Sequence, residues 1–142
     1  MPYVLPDTGF WYAAFDSRDT YHAQALPRLT TLEFRDYRVV FPWPIVYETL
    51  RTRFVANHDA IRNLEAFMKR NVVHPVDDAS YRDKAYQLTF DHALRWNRPI
   101  SMVDWIIRLI LEDRSIAVDY LATFNDSDFY DARRLRRIRL FE

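Results

Sequence analysis

Val4-Leu5-Pro6-Asp7-Thr8-Gly9-Phe10-Trp11 decides how the rest of the chain is read. An apolar run halts at an acid, passes one small residue and the chain's single glycine, and resumes as a second apolar run. The first, Tyr3 to Leu5, is short and apolar, as the end of a buried strand is. The second, Phe10 to Phe15 with Ala13 and Ala14, suits a helix packed on that strand. Asp7 is therefore expected at the carboxyl end of a central strand and at a helix start, where open α/β sheets bind ligands. Asp is also a favoured N-cap, so helix initiation alone also accounts for it.

A length of 142 residues suggests one domain, and 49% hydrophobic with 16% aromatic residues supplies a sizeable core. Lys plus Arg equals Asp plus Glu at 20 each, so net charge points to neither nucleic acid nor membrane. The absence of cysteine removes disulfides, thiolate metal sites and cysteine nucleophiles, and fits a reducing cytoplasm. No apolar run approaches the ~18 residues of a membrane helix. The N-terminus lacks a basic region followed by an apolar stretch, so no signal peptide is expected. One glycine disfavours a phosphate loop or dinucleotide fingerprint, each of which needs several.

Working outward, Asp19 or Thr20 is placed to cap a helix running to about Leu32. Tyr37 to Phe41 is β-branched and aromatic, a second strand. Pro44 suits a first helical position, with one helix continuing through Phe54 until Asn57-His58-Asp59 breaks it. A helix over Ala60 to Arg70 and a short strand over Asn71 to Pro75 follow. Asp77 or Asp78 starts a helix reaching Trp96. Ser101 to Asp113 has the clearest helical period: Val103, Ile106, Ile107 and Ile110. Ala117 to Phe124 reads as a buried strand, then a short helix, then an edge strand over Ile138 to Phe141. Strands alternating with helices predict one three-layer α/β/α domain over residues 1–142 with a central parallel sheet.

Four acidic positions fall at strand ends or following helix starts: Asp7, Glu48, Asp104, and the pair Asp126 and Asp128. In a parallel sheet these share one edge. Like charges gathered there repel unless a cation neutralises them, and an oxygen-only donor set suits Mg²⁺ or Mn²⁺. Each acid also has a purely structural explanation. Ser101-Met102-Val103-Asp104 is close to a capping box, Glu48 can pair with Arg51 or Thr52, and Asp126 or Asp128 can cap the short helix. The four histidines, His22, His58, His74 and His92, show no metal-ligand spacing.

Asp7-Thr8, Pro44-Ile45-Val46-Tyr47-Glu48, Ser101-Met102-Val103-Asp104 and Thr123-Phe124-Asn125-Asp126-Ser127-Asp128-Phe129 together resemble the ordered motifs of PIN-domain proteins, especially VapC-type toxin ribonucleases. Pro6 and Gly9 depart from that pattern without removing a carboxylate. The resemblance implies a PIN-like fold and a Mg²⁺- or Mn²⁺-dependent endoribonuclease with Asp7, Glu48, Asp104 and Asp126 catalytic. Asp7, Asp104 and Asp126 would hold the metal, while Thr8 hydrogen-bonds Asp7 or a water. Aligned on the family pattern, Asp126 is the ligand and Asp128 caps the helix near Phe129. The implied partners are RNA, an antitoxin protein and a second copy of the chain. A catalytically inactive PIN-like domain binding RNA or protein is the alternative. A haloacid-dehalogenase-like phosphatase is set aside because position 9 is glycine, not a second Asp.

The basic run Arg133, Arg134, Arg136, Arg137 and Arg139 stands close behind the last acids and could hold RNA phosphates, or be a solvated face. Trp11, Tyr12, Trp43 and Tyr47 are available for base stacking, or for the core and a dimer surface, with Trp11 and Tyr12 the candidates for the pairwise contact.

Overall fold

In the computed structural model of the chain, which describes residues Met1–Glu142, β1 (Tyr3–Pro6) is the middle strand of a five-stranded sheet of order β3-β2-β1-β4-β5. Its neighbours are β2 (Arg38–Pro42) and β4 (Tyr120–Ala122), with β3 (Val72–Val76) and β5 (Arg139–Leu140) at the edges. Every pairing is parallel. Val4 and Leu5 have no exposed surface, as a strand covered by helices on both faces requires.

The chain moves from β1 outward to β2 and β3, then returns across the sheet to β4 and β5. Right-handed crossovers place the connecting helices of the two halves on opposite faces. Helices α1 (Thr8–Phe15), α2 (His22–Phe34), α3 (Trp43–Thr49), α4 (Thr52–Val55) and α5 (His58–Arg70) belong to the first half. Helices α6 (Arg82–Arg95), α7 (Met102–Glu112) and α8 (Tyr130–Arg134) belong to the second. The result is the expected three-layer α/β/α architecture around a parallel sheet, and its 30 buried apolar residues form one cluster.

Trp11 is the hub of the first face. Its ring meets Phe41 of β2 at 5.2 Å and Phe67 of α5 at 5.5 Å. It is wholly buried, so it is core and cannot form the expected contact with a second copy. Removing so large a buried ring would cost ~3–5 kcal/mol.

Local departures from the sequence reading have local causes. The break expected at Asn57-His58-Asp59 is there, between α4 and α5, and the next helix starts at His58, two residues earlier than expected, because the Asn57 side chain accepts from the Ala60 amide as an N-cap. The expected helix from Pro44 through Phe54 is two. Arg51 adopts extended geometry between them (φ −70°, ψ 162°) and its guanidinium lies 4.7 Å from the Tyr12 ring centroid. Asp19 bonds the Tyr21 amide, leaving α2 without a side-chain cap. A 3₁₀ turn over Ala79–Tyr81 precedes α6, and β4 is shorter than the apolar stretch around it.

Candidate active site

Where the strand order reverses, β1 and β4 part toward different helices and leave a crevice at their carboxyl ends. Asp7 occupies this point. Its amide donates to the Ala122 carbonyl (3.1 Å), prolonging the ladder by one residue. Its Oδ1 accepts from the Phe10 amide (2.8 Å) as the N-cap of α1, and Oδ2 accepts from the Thr123 hydroxyl (2.5 Å). The capping and cleft readings of Asp7 are thus compatible: a carboxylate has lone pairs enough for both. Burial pushes its pKa up to about 6, against smaller lowering effects from the Thr123 and Phe10 bonds; the Glu48 charge adds to the rise.

Asp7, Glu48 and Asp104 line one cleft of ≈ 330 Å³, with Thr8, Arg51 and Asn125 among the other walls. Glu48 reaches it from α3. Its Oε1 accepts from the Thr8 hydroxyl, and its backbone carbonyl accepts from the Tyr12 hydroxyl. Thr8 therefore orients Glu48 and not Asp7, and Glu48 pairs with neither Arg51 nor Thr52. Ser101 caps α7, its Oγ accepting from the Asp104 amide (3.1 Å), as the Ser-x-x-Asp pattern anticipates. The Asp104 carboxyl is also pushed up to about 6, by burial first and then by Asp7, Glu48 and Asp128.

The last acidic pair behaves differently from the sequence reading. Arg133 grips Asp126 through two bonds, of 2.6 and 2.8 Å, and donates to the Ile138 carbonyl. That ion pair closes the α8 segment on itself and holds Asp126 off the cleft. Asp128 is the carboxylate whose charge Asp104 feels. It does not cap α8, which has no side-chain cap; its Oδ2 accepts from the Asn125 amide group (2.6 Å). Asp126 and Asp128 both lie in a 3₁₀ turn, which aims neighbouring side chains unlike an extended loop.

Three residues were given no role in the site by the sequence reading. Thr123 is buried beside Asp7, and its place at the head of the Thr123–Phe129 motif was the available signal. Arg51 brings a cation to the cleft wall. Arg108, buried on α7, makes two 2.7 Å bonds to the Asp131 carboxylate and a third to the Asp128 carbonyl, tying the 3₁₀ turn to α7. An arginine in an apolar helix gives no sign of what it reaches.

The basic run divides likewise. Arg133 is committed to Asp126, and Arg136 donates to the Ile110, Leu111 and Ile116 carbonyls around the end of α7, where cations offset the helix dipole. Arg134 donates to the Tyr130 hydroxyl. Arg134 and Arg137 are exposed; Arg133 and Arg136 serve the fold.

The cleft carboxylates do not close on one another: nowhere do three or more His, Cys, Asp or Glu side chains stand close enough to share a metal ion. The donor chemistry nevertheless fits Mg²⁺ or Mn²⁺, since Asp7, Glu48 and Asp104 offer only hard oxygens. Burial first and like charge second raise Asp7 and Asp104, and a divalent cation beside them would favour their ionised forms.

Compared with known proteins, the chain matches no protein-family model and no curated protein. Fold and cleft define its class: a parallel three-layer α/β/α protein with an acidic crevice at the strand-order reversal. No helix is long and apolar enough to cross a membrane.

Proposed function

We propose that the protein is a Mg²⁺- or Mn²⁺-dependent endoribonuclease of the PIN type, hydrolysing RNA phosphodiesters. The observation that carries this reading is the sharing of one cleft by Asp7, Glu48 and Asp104. When bound, the metal supplies Lewis-acid stabilisation of charge on the phosphoryl oxygens and acidifies water. Asp7 and Asp104 would hold it, with Asp128 the nearer member of the final pair and Asp126 reserved for Arg133. Thr123 and the Phe10 amide fix the Asp7 carboxylate, Thr8 fixes Glu48 as an orienter of water, and Arg51 offers a phosphate contact. The motif resemblance extends the reading to a cytoplasmic toxin held by an antitoxin, acting as a homodimer.

A second reading, a catalytically inactive PIN-like domain that binds RNA or protein, is favoured by the separation of the carboxylates. Incubating the protein with single-stranded RNA in Mn²⁺, beside Asp7→Asn and Asp104→Asn, separates the two. The nuclease reading expects cleavage that needs metal and both acids. RNA binding without cleavage supports the second.

A further inference from the structure

The basic run near the C-terminus is not exhausted by the fold. Arg136 and Arg137 meet Arg114 around an open concavity of ≈ 520 Å³ whose only other wall is Leu135. No carboxylate lines it. That separates these arginines from Arg18, Arg82, Arg108 and Arg133, each of which is paired with an aspartate. Arg114 and Arg137 are exposed and form no ion pair. Arg136 is half-buried, and three of its five N–H donors are taken by the Ile110, Leu111 and Ile116 carbonyls. Burial lowers its pKa; Asp113 and Asp119 act against this, and the Arg114 charge acts with it. Both aspartates are engaged elsewhere: Asp113 accepts from the Tyr81 hydroxyl and from Ser115, and Asp119 from the Tyr3 amide.

The backbone at Arg137 is an independent observation. The Arg137 amide donates to the Arg134 carbonyl (3.1 Å), and the Ile138 amide to the Arg133 carbonyl (3.0 Å). These are the two bonds of a Schellman turn, and they put Arg137 in its left-handed position, at φ 57°. Glycine is the usual residue there, because a Cβ is disfavoured at such a φ. The chain accepts an unfavourable residue at this turn and gains a third guanidinium beside Arg114 and Arg136. Local folding gives no reason for that choice.

Arg114 precedes β4 and Arg137 precedes β5, so the concavity is at the amino edge of the parallel sheet, opposite the acidic cleft. One leucine is its whole apolar lining, so a base or an acyl chain finds little to pack on. Guanidinium groups instead suit a compact anion with several oxygens, each pair of which they can fork. We infer that Arg114, Arg136 and Arg137 form a second site, which binds the phosphate group of a multiply charged ligand. It stands apart from the cleft and does not rest on the nuclease reading.

The test uses the full chain in chelator, so that no metal carries the probe into the cleft. Inorganic pyrophosphate is titrated calorimetrically at constant ionic strength, and wild type should bind it at one site per chain. Arg114→Ala and Arg137→Gly should each weaken binding roughly 10- to 150-fold, the worth of a charged hydrogen bond. Arg134→Ala, an exposed neighbour outside the concavity, should bind as wild type does. Without pyrophosphate, Arg137→Gly should melt no lower than wild type, because glycine is at ease in the left-handed position; its lost binding is then not lost folding. No binding by wild type, or undiminished binding by Arg114→Ala and Arg137→Gly, overturns the site. An equal loss in Arg134→Ala also overturns it, since attraction to net charge would then explain the binding. A single-stranded RNA competitor identifies the source of the phosphate. Displacement of pyrophosphate from wild type assigns a polymer backbone, and no displacement assigns a free phosphorylated compound; either result upholds the site.

Discussion

The Thr123 hydroxyl donates to the Asp7 carboxylate across 2.5 Å, joining the carboxyl ends of two adjacent parallel strands. The bond holds a buried acid in its ionised form and lowers its pKa against the larger effect of burial. Thr123→Val should therefore push Asp7 further above 6 and move any acid limb of activity to higher pH. Leaving a buried carboxylate short of a donor should also cost ~1–3 kcal/mol. A pH–rate profile and urea titration measure the two; an unmoved acid limb would separate Thr123 from Asp7's ionisation.

Asp7→Asn should do the reverse for stability. The amide oxygen keeps the α1 cap, and the Thr123 hydroxyl can rotate to accept from the amide nitrogen. What disappears is a charge whose burial, at about two pKa steps, opposes folding by on the order of 3 kcal/mol. Without metal at pH 7.5, the variant should melt above wild type while losing cleavage. A lower melting temperature would show that the carboxylate is not under strain.

Stability should depend on pH in two opposed windows. Asp7 and Asp104 are raised from 3.8 to about 6, so between those values the folded chain binds more protons than the unfolded one. Their contribution falls as pH rises from about 4 to 6 and is flat above. Asp131 is held below its ordinary value by the Arg108 bonds, and its contribution is lost as pH falls through and below 3.8. In chelator, melting temperature should peak near pH 4, decline to about pH 6 and stay level above, and Asp7→Asn with Asp104→Asn should flatten the decline. A profile still rising through pH 6 would contradict this.

Mn²⁺ at 100 times its dissociation constant should stabilise the wild type by about 2.7 kcal/mol. The final acids divide on this response. Asp126→Asn breaks the Arg133 fork, should lose ~1–3 kcal/mol, and should keep the Mn²⁺ shift. Asp128→Asn should fold normally, lower the Asp104 pKa by removing a like charge, and reduce the Mn²⁺ shift. Thermal melts with Mn²⁺ or chelator settle the division; loss of the Mn²⁺ shift in Asp126→Asn alone would return Asp126 to the cleft.

The strand–Asp7–helix junction and the Ser101 cap were legible because each is written within a few adjacent residues. The partner of Asp126 was not: Arg133 lies seven positions on, across a 3₁₀ turn, and nothing local distinguishes it from its neighbour Arg134. Trp11 and Tyr47 read alike as aromatics on helices, yet one is core and the other solvent-facing, a difference made by which helix face the sheet covers. Arg108 stayed hidden because its partners lie in a later element.

Asp7 and Thr123 are separated by 116 positions, and the β1–β4 pairing that brings them together is the longest-range ladder of the sheet. Such a closure must wait for nearly all the intervening chain, and its loop entropy makes it a slow event. A chain emerging from the ribosome amino end first holds Asp7 and Glu48 early, while Asp104 and Thr123 are still to be made. The cleft is therefore absent from the unfinished molecule: synthesis itself delays its assembly until the second half of the sheet arrives.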